Sequence, residues 1–263
     1  MVRYCVSSFW GILTFVLLAG CSPTLHVDAY RGNLLSVRKI LDHGENVSKT
    51  DYRGWTALHY AAEGNQREIV DLLLMKGAEI NALGDRGETP LHVATYYCHE
   101  EVVKTLLEKG ANFAIKFKSE DGFWGTLPII ASANCCGPNL LKDLLNAGAD
   151  GNEIETEYGY SPLIYAAANG KLQTVKVLLL ADVDVNHQAN DGITALIASA
   201  GQGTKEVVQI LLAAGADMAI KATQLGGPLN KGLEPEDTAL SVAKRRGHTE
   251  VVALLEAAEK KNN

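Results

Sequence analysis

The sequence predicts an all-α protein, a linear stack of helical hairpins in which each pair is joined to the next by a protruding turn. Three observations carry that expectation. A short pattern recurs along the 263 residues, and its Thr/Ser anchors, Thr56 with Thr89 and Ser161 with Thr194, stand 33 residues apart. Each copy is followed by a segment whose apolar residues fall at i, i+3 and i+4, which places them on one face of a helix. A Gly closes most of these segments, as in Gly77 and Gly215, where a helix end favours left-handed backbone.

The clear copies run Gly54-Trp55-Thr56-Ala57-Leu58-His59, Gly87-Glu88-Thr89-Pro90-Leu91-His92, Gly159-Tyr160-Ser161-Pro162-Leu163-Ile164 and Gly192-Ile193-Thr194-Ala195-Leu196-Ile197. A weaker one covers Gly125-Thr126-Leu127-Pro128, the last centres on Thr238-Ala239-Leu240, and counting back from Leu58-His59 reaches a degenerate copy at Leu25-His26. Thr or Ser caps the first helix, and Pro suits its first position because no N–H is needed there. Small Ala pairs let helices approach closely. The second helix of each copy is apolar on one side, as in Ile69-Val70-Asp71-Leu72-Leu73. One hairpin cannot bury such a face alone, but a stack makes a continuous core. Asp182 stands where other copies carry the closing Gly, so that turn is expected to be strained or shifted.

A 33-residue period with Thr-Pro-Leu-His-x-Ala resembles the ankyrin repeat. The resemblance spans nearly all of the chain after Cys21 and implies an ankyrin-repeat solenoid. The expected division is 24–50 (degenerate), then 51–83, 84–117, 122–155, 156–188, 189–221 and 233–263, with an insertion loop at 222–232 and an enlarged turn near 117–122. Lys244, Arg245, Arg246 and the polar tail suit a solvated terminal cap.

Residues 1–20 have a different character. Phe9 to Leu18 is apolar, too short to span a bilayer and apt for a secretory leader. It runs into Leu18-Ala19-Gly20-Cys21, which resembles the lipobox of bacterial lipoproteins. That resemblance implies cleavage before Cys21, acylation of Cys21 and, with Ser22 next rather than Asp, the outer membrane, facing the periplasm or surface. An ordinary secretory leader is the alternative. The helical array would then start almost at the lipid, with little tether.

The net charge of −7 argues against nucleic acid. Catalytic motifs are missing: there is no Gly-x-Ser-x-Gly, no His-Glu-x-x-His and no Walker loop. His59 and His92 share a register position filled elsewhere by Ile or Ser. They therefore suit a structural role, and the ankyrin resemblance implies that they tie neighbouring turns by hydrogen bonds. No enzyme activity, cofactor or metal is expected, and the array is expected to be monomeric. Cys98, Cys135 and Cys136 lie in the turns between paired helices; small packed thiols are the favoured reading, with a redox or metal-handling role as the rival.

The resemblance also implies where a partner docks: on the residues flanking the motif Gly and those following the Ala pair. Among these positions are Tyr52, Arg53, Trp55, Glu63, Arg86, Tyr96, Tyr97, Phe123, Trp124, Tyr158 and Tyr160. Eight of the thirteen aromatics after Cys21 fall on such positions, although the register tolerates Glu, Gly or Asn there. An exposed aromatic cluster beside Arg53 and Arg86 suits a protein interface. The sequence thus predicts a scaffold, stabiliser or inhibitor of another envelope protein.

Overall fold

The computed structural model describes residues 24–116, 128–223, 229 and 232–262. They fall into two compact units that divide after Pro128. Among the described residues the regular structure is helical, with a single isolated bridge between Thr50 and Thr56. None of these helices is long and apolar enough to cross a membrane.

The first unit holds three hairpins: α1 (Leu25–Arg31) with α2 (Leu34–Asp42), α3 (Ala57–Glu63) with α4 (Arg67–Met75), and α5 (Pro90–Tyr96) with α6 (Glu100–Glu108). The first helices pack in the order α1, α3, α5, and the second helices in the order α2, α4, α6. Ala29, Ala57, Ala61, Ala62 and Ala94 are fully buried along the first row. On α4 the stripe Ile69, Val70, Leu72 and Leu73 is buried. Each such side chain contributes roughly 1.5–3 kcal/mol on leaving water.

The second unit holds α7 (Pro128–Cys135) from its second residue on and α8 (Pro138–Asn146), α9 (Pro162–Ala168) and α10 (Leu172–Leu180), α11 (Ala195–Gln202) and α12 (Lys205–Ala213), and α13 (Ala239–Arg245) and α14 (Thr249–Asn262). Here α9, α11 and α13 form one row, and α8, α10, α12 and α14 the other. Among the described residues the helices thus form seven successive pairs.

The local chemistry follows the sequence pattern. Thr89, Ser161, Thr194 and Thr238 cap their helices by accepting the N–H of the third residue on. Left-handed backbone closes the second helices at Gly77, Gly110, Gly148 and Gly215, and Asp182 takes the same conformation with φ 55°. Asn65 and Cys98 hold positive φ in the turn inside their hairpins, where Gly170 and Gly203 stand in others. A ladder of asparagines ties successive turns: the side chains of Asn81, Asn152 and Asn186 accept from the backbone N–H groups of Asn112, Asp184 and Asp217.

Candidate partner-binding surface

The turn before α3 is organised by Asp51. Its carboxylate accepts the backbone N–H groups of Arg53 and Trp55, and the Tyr60 hydroxyl at 2.9 Å. Although burial opposes the charge, these donors hold the Asp51 carboxyl below the ordinary carboxylate value. Arg53 folds back over this turn. Its guanidinium lies 4.0 Å above the Trp55 ring, donates to the Tyr60 hydroxyl at 2.8 Å, and pairs with Asp51. Burial, with the Arg53 guanidinium pulling the other way, pushes the Tyr60 phenol up to about 12.

One of the expected contact residues is therefore corrected, and a second is engaged within its own hairpin. Trp55 is only 3% exposed; its indole N–H donates to Glu88 Oε1 at 2.5 Å and its ring stacks on His59. It clamps one turn to the next and offers no ring to a partner. Arg53 keeps 17% of its side chain exposed and spends its cation–π capacity on rings of its own hairpin. Tyr52, by contrast, is 72% exposed, and Arg86 is exposed one turn further on.

At the other end of the first helices lies a second group. Tyr30, Glu63 and Tyr96 are separated by 33 residues each, at the last or penultimate position of α1, α3 and α5. Tyr97 follows as the cap of α5. All four are half-buried. Tyr96 and Tyr97 meet edge to face with centroids 5.1 Å apart. The Tyr97 hydroxyl donates to Glu63 Oε1 at 3.1 Å, and its ring stacks on His99, whose Nε2 contacts the Glu63 carbonyl at 3.0 Å. Burial raises the Glu63 carboxyl despite the Tyr97 hydrogen bond, and raises the Tyr97 phenol further with the help of the Glu63 charge. Tyr30 was missing from the expected contact set because its copy of the motif is degenerate; counting back two periods from Tyr96 finds it.

In the second unit, Glu155 organises the turn before α9 by accepting the N–H groups of Glu157, Tyr158 and Tyr160. Tyr158 is half-buried and stacks on Tyr160 at 5.6 Å. Tyr160 is a further correction: it is fully buried, donates to Asp191 Oδ2 at 2.7 Å and meets the Tyr165 ring edge-on. Phe123, Trp124 and the lipidation candidate Cys21 lie outside the described residues, as does most of the insertion at 222–232.

His59 bridges turns, as expected of a structural histidine. Its Nδ1 faces the Thr56 N–H and hydroxyl, and its Nε2 reaches the Glu88 carbonyl at 3.1 Å. His92 repeats the pairing with Thr89. Burial brings both imidazoles down to about 4. The cysteines depart from the favoured reading: Cys98, Cys135 and Cys136 are in disulfide bonding. A sulfur so committed supplies no thiolate, and among the described residues no group of three or more His, Cys, Asp or Glu is placed to hold a metal.

The sequence matches the family model for ankyrin repeats in three copies over residues 25–117 and 129–222. Among solved structures, the ankyrin repeat domain of Bcl-3, described as a unique member of the IkappaB protein family, superposes with a TM-score of 0.70 at 28% identity, covering 90% of this chain and 99% of that one. The human ASB11 ankyrin repeat domain superposes with a TM-score of 0.75 at 25% identity, covering 89% of this chain and 97% of that one. With well over half of its residues matched by the family model and its helices paired throughout the described residues, the chain belongs to the ankyrin-repeat family, whose members bind other proteins.

Proposed function

We propose that this protein holds another protein of a bacterial envelope, as its scaffold, stabiliser or inhibitor, and does no chemistry of its own. The gripping surface is the face made by the turn tips and first-helix ends of the repeats. The observation that carries this reading is the Tyr96–Tyr97 pair, two half-buried rings meeting edge to face at the end of α5, in a register that other repeats fill with Glu63-Gly64, Ala168-Asn169 or Gly201-Gln202. Tyr52 and Arg86, exposed on the turn tips of the same unit, extend it. Tyrosine buries a large area at small entropic cost, and arginine is enriched among the residues that carry binding energy. Tyr158, together with Phe123 and Trp124, is proposed to contribute through the following repeats.

The anchor is part of the same proposal. Leu18-Ala19-Gly20-Cys21 supports acylation of Cys21 and placement at a membrane, the outer one favoured, facing the periplasm or surface. Disulfide bonding at Cys98, Cys135 and Cys136 supports an oxidising compartment.

The test is cross-linking capture from envelope extract with the intact chain, beside a Tyr96→Ala/Tyr97→Ala variant. A band retained by the intact chain and lost with the variant identifies the partner and the surface together. Equal capture by both chains removes this face from the function. Labelling with a palmitate analogue that is lost in Cys21→Ser tests the anchor separately.

A further inference from the structure

The group at the ends of α1, α3 and α5 contains an acid that has no ion-pair partner among the described residues. Glu63 is half-buried and accepts one side-chain hydrogen bond, from Tyr97, through Oε1. Among the described residues no Lys, Arg or His forms an ion pair with it. Arg53, whose charge reaches it, is already engaged by Asp51 and the Tyr60 hydroxyl. Leaving a carboxylate partly out of water without a cation is costly, and a surface Glu at the end of a helix has no structural need to sit there.

The surroundings are aromatic. Tyr30 lies one repeat before Glu63 and Tyr96 one repeat after it, in the same register. The close approach on the Tyr30 side depends on Gly64: a Cβ at that position would stand 2.1 Å from the Tyr30 carbonyl oxygen. On the other side Tyr97 is steadied by His99, so its hydroxyl is aimed at the acid. The result is a half-buried carboxylate held by the Tyr97 hydroxyl, with Tyr30 near enough to feel its charge and Tyr96 packed edge-on against the Tyr97 ring. A ring face attracts cations through its quadrupole, and a partly desolvated carboxylate binds them far better than an exposed one.

We infer that Tyr30, Glu63, Tyr96 and Tyr97 form a notch that receives one cationic side chain, arginine or lysine, of the partner protein. The inference rests on the proposed protein-binding function and names the chemistry of its central contact. A cation entering the notch supplies the charge that Glu63 lacks, and its stem packs against the rings. The shift of the Glu63 carboxyl above its ordinary value agrees with an acid waiting for such a partner.

The experiment uses the full chain carrying 13C-labelled tyrosine and a short peptide, acetyl-Gly-Gly-Arg-Gly-Gly-amide, titrated by NMR. Its control replaces Arg with citrulline, which keeps the shape and loses the charge. Saturable shifts at Tyr30, Tyr96 and Tyr97 with the arginine peptide, weakened about tenfold or more with citrulline and with Glu63→Gln, are the expected result. Absence of a saturable shift, or equal binding of the two peptides to the unaltered chain, overturns it; neither outcome depends on a variant folding. In the envelope capture, partner lost by Tyr96→Ala/Tyr97→Ala but held by Glu63→Gln defeats this inference alone. Partner held by both variants defeats the proposed surface itself.

Discussion

Trp55 and Tyr52 stand three residues apart in one turn and have opposite fates. Trp55 fills a buried seat and donates to Glu88, whereas Tyr52 projects into solvent. Trp55→Ala is expected to cost about 3–5 kcal/mol in urea unfolding, and Tyr52→Ala to stay within about 0.5 kcal/mol. The buried histidines set a pH dependence. An unfolded chain takes up protons at His59 and His92 near pH 6.5, the folded chain only near pH 4. Stability is complete above about pH 6.5 and falls as the pH drops toward 4, by up to roughly 3 kcal/mol per ring. Unfolding midpoints measured across that window should show this slope, and His59→Gln/His92→Gln should flatten it. The positions of the aromatic residues were legible from the repeat register, but their exposure was not. A motif places Trp55 and Tyr160 on the tip of a turn. Whether the ring turns outward depends on an acceptor in the next repeat, Glu88 or Asp191, that no single repeat encodes.

Each helical pair was legible because its start and its stop are chemical. Thr194 accepts the N–H of Ile197 and opens α11, so Thr194→Ala is expected to lower stability by about 1 kcal/mol. The stop after α10 shows the cost of a poor residue. Asp182 sits at φ 55° where most repeats use Gly, and Asp182→Gly is expected to raise the thermal midpoint through a gain of about 0.5–1 kcal/mol. The asparagine ladder, in contrast, was not apparent beforehand. Asn81, Asn152 and Asn186 are ordinary loop residues until the next repeat brings a backbone N–H to each side chain.

At the scale of the whole chain, the family and the helical repeat followed from periodicity, while the state of the cysteines did not. Spacing in sequence says little about sulfur geometry, which depends on where two turns meet. With Cys98, Cys135 and Cys136 in disulfide bonding, the denatured, unreduced chain should yield none of these three thiols to a thiol reagent, and all three after reduction. Three reactive thiols before reduction would contradict the structure.

Gly64 carries a lesson about modularity. The residues that take its place in the other clear copies are Tyr97, Asn169 and Gln202, and each brings the carbon that Tyr30's carbonyl leaves no room for. A hairpin transplanted from later in the chain would collide on arrival beside the first. Units so alike in sequence are thus not interchangeable bricks, because this joint admits only its own neighbour.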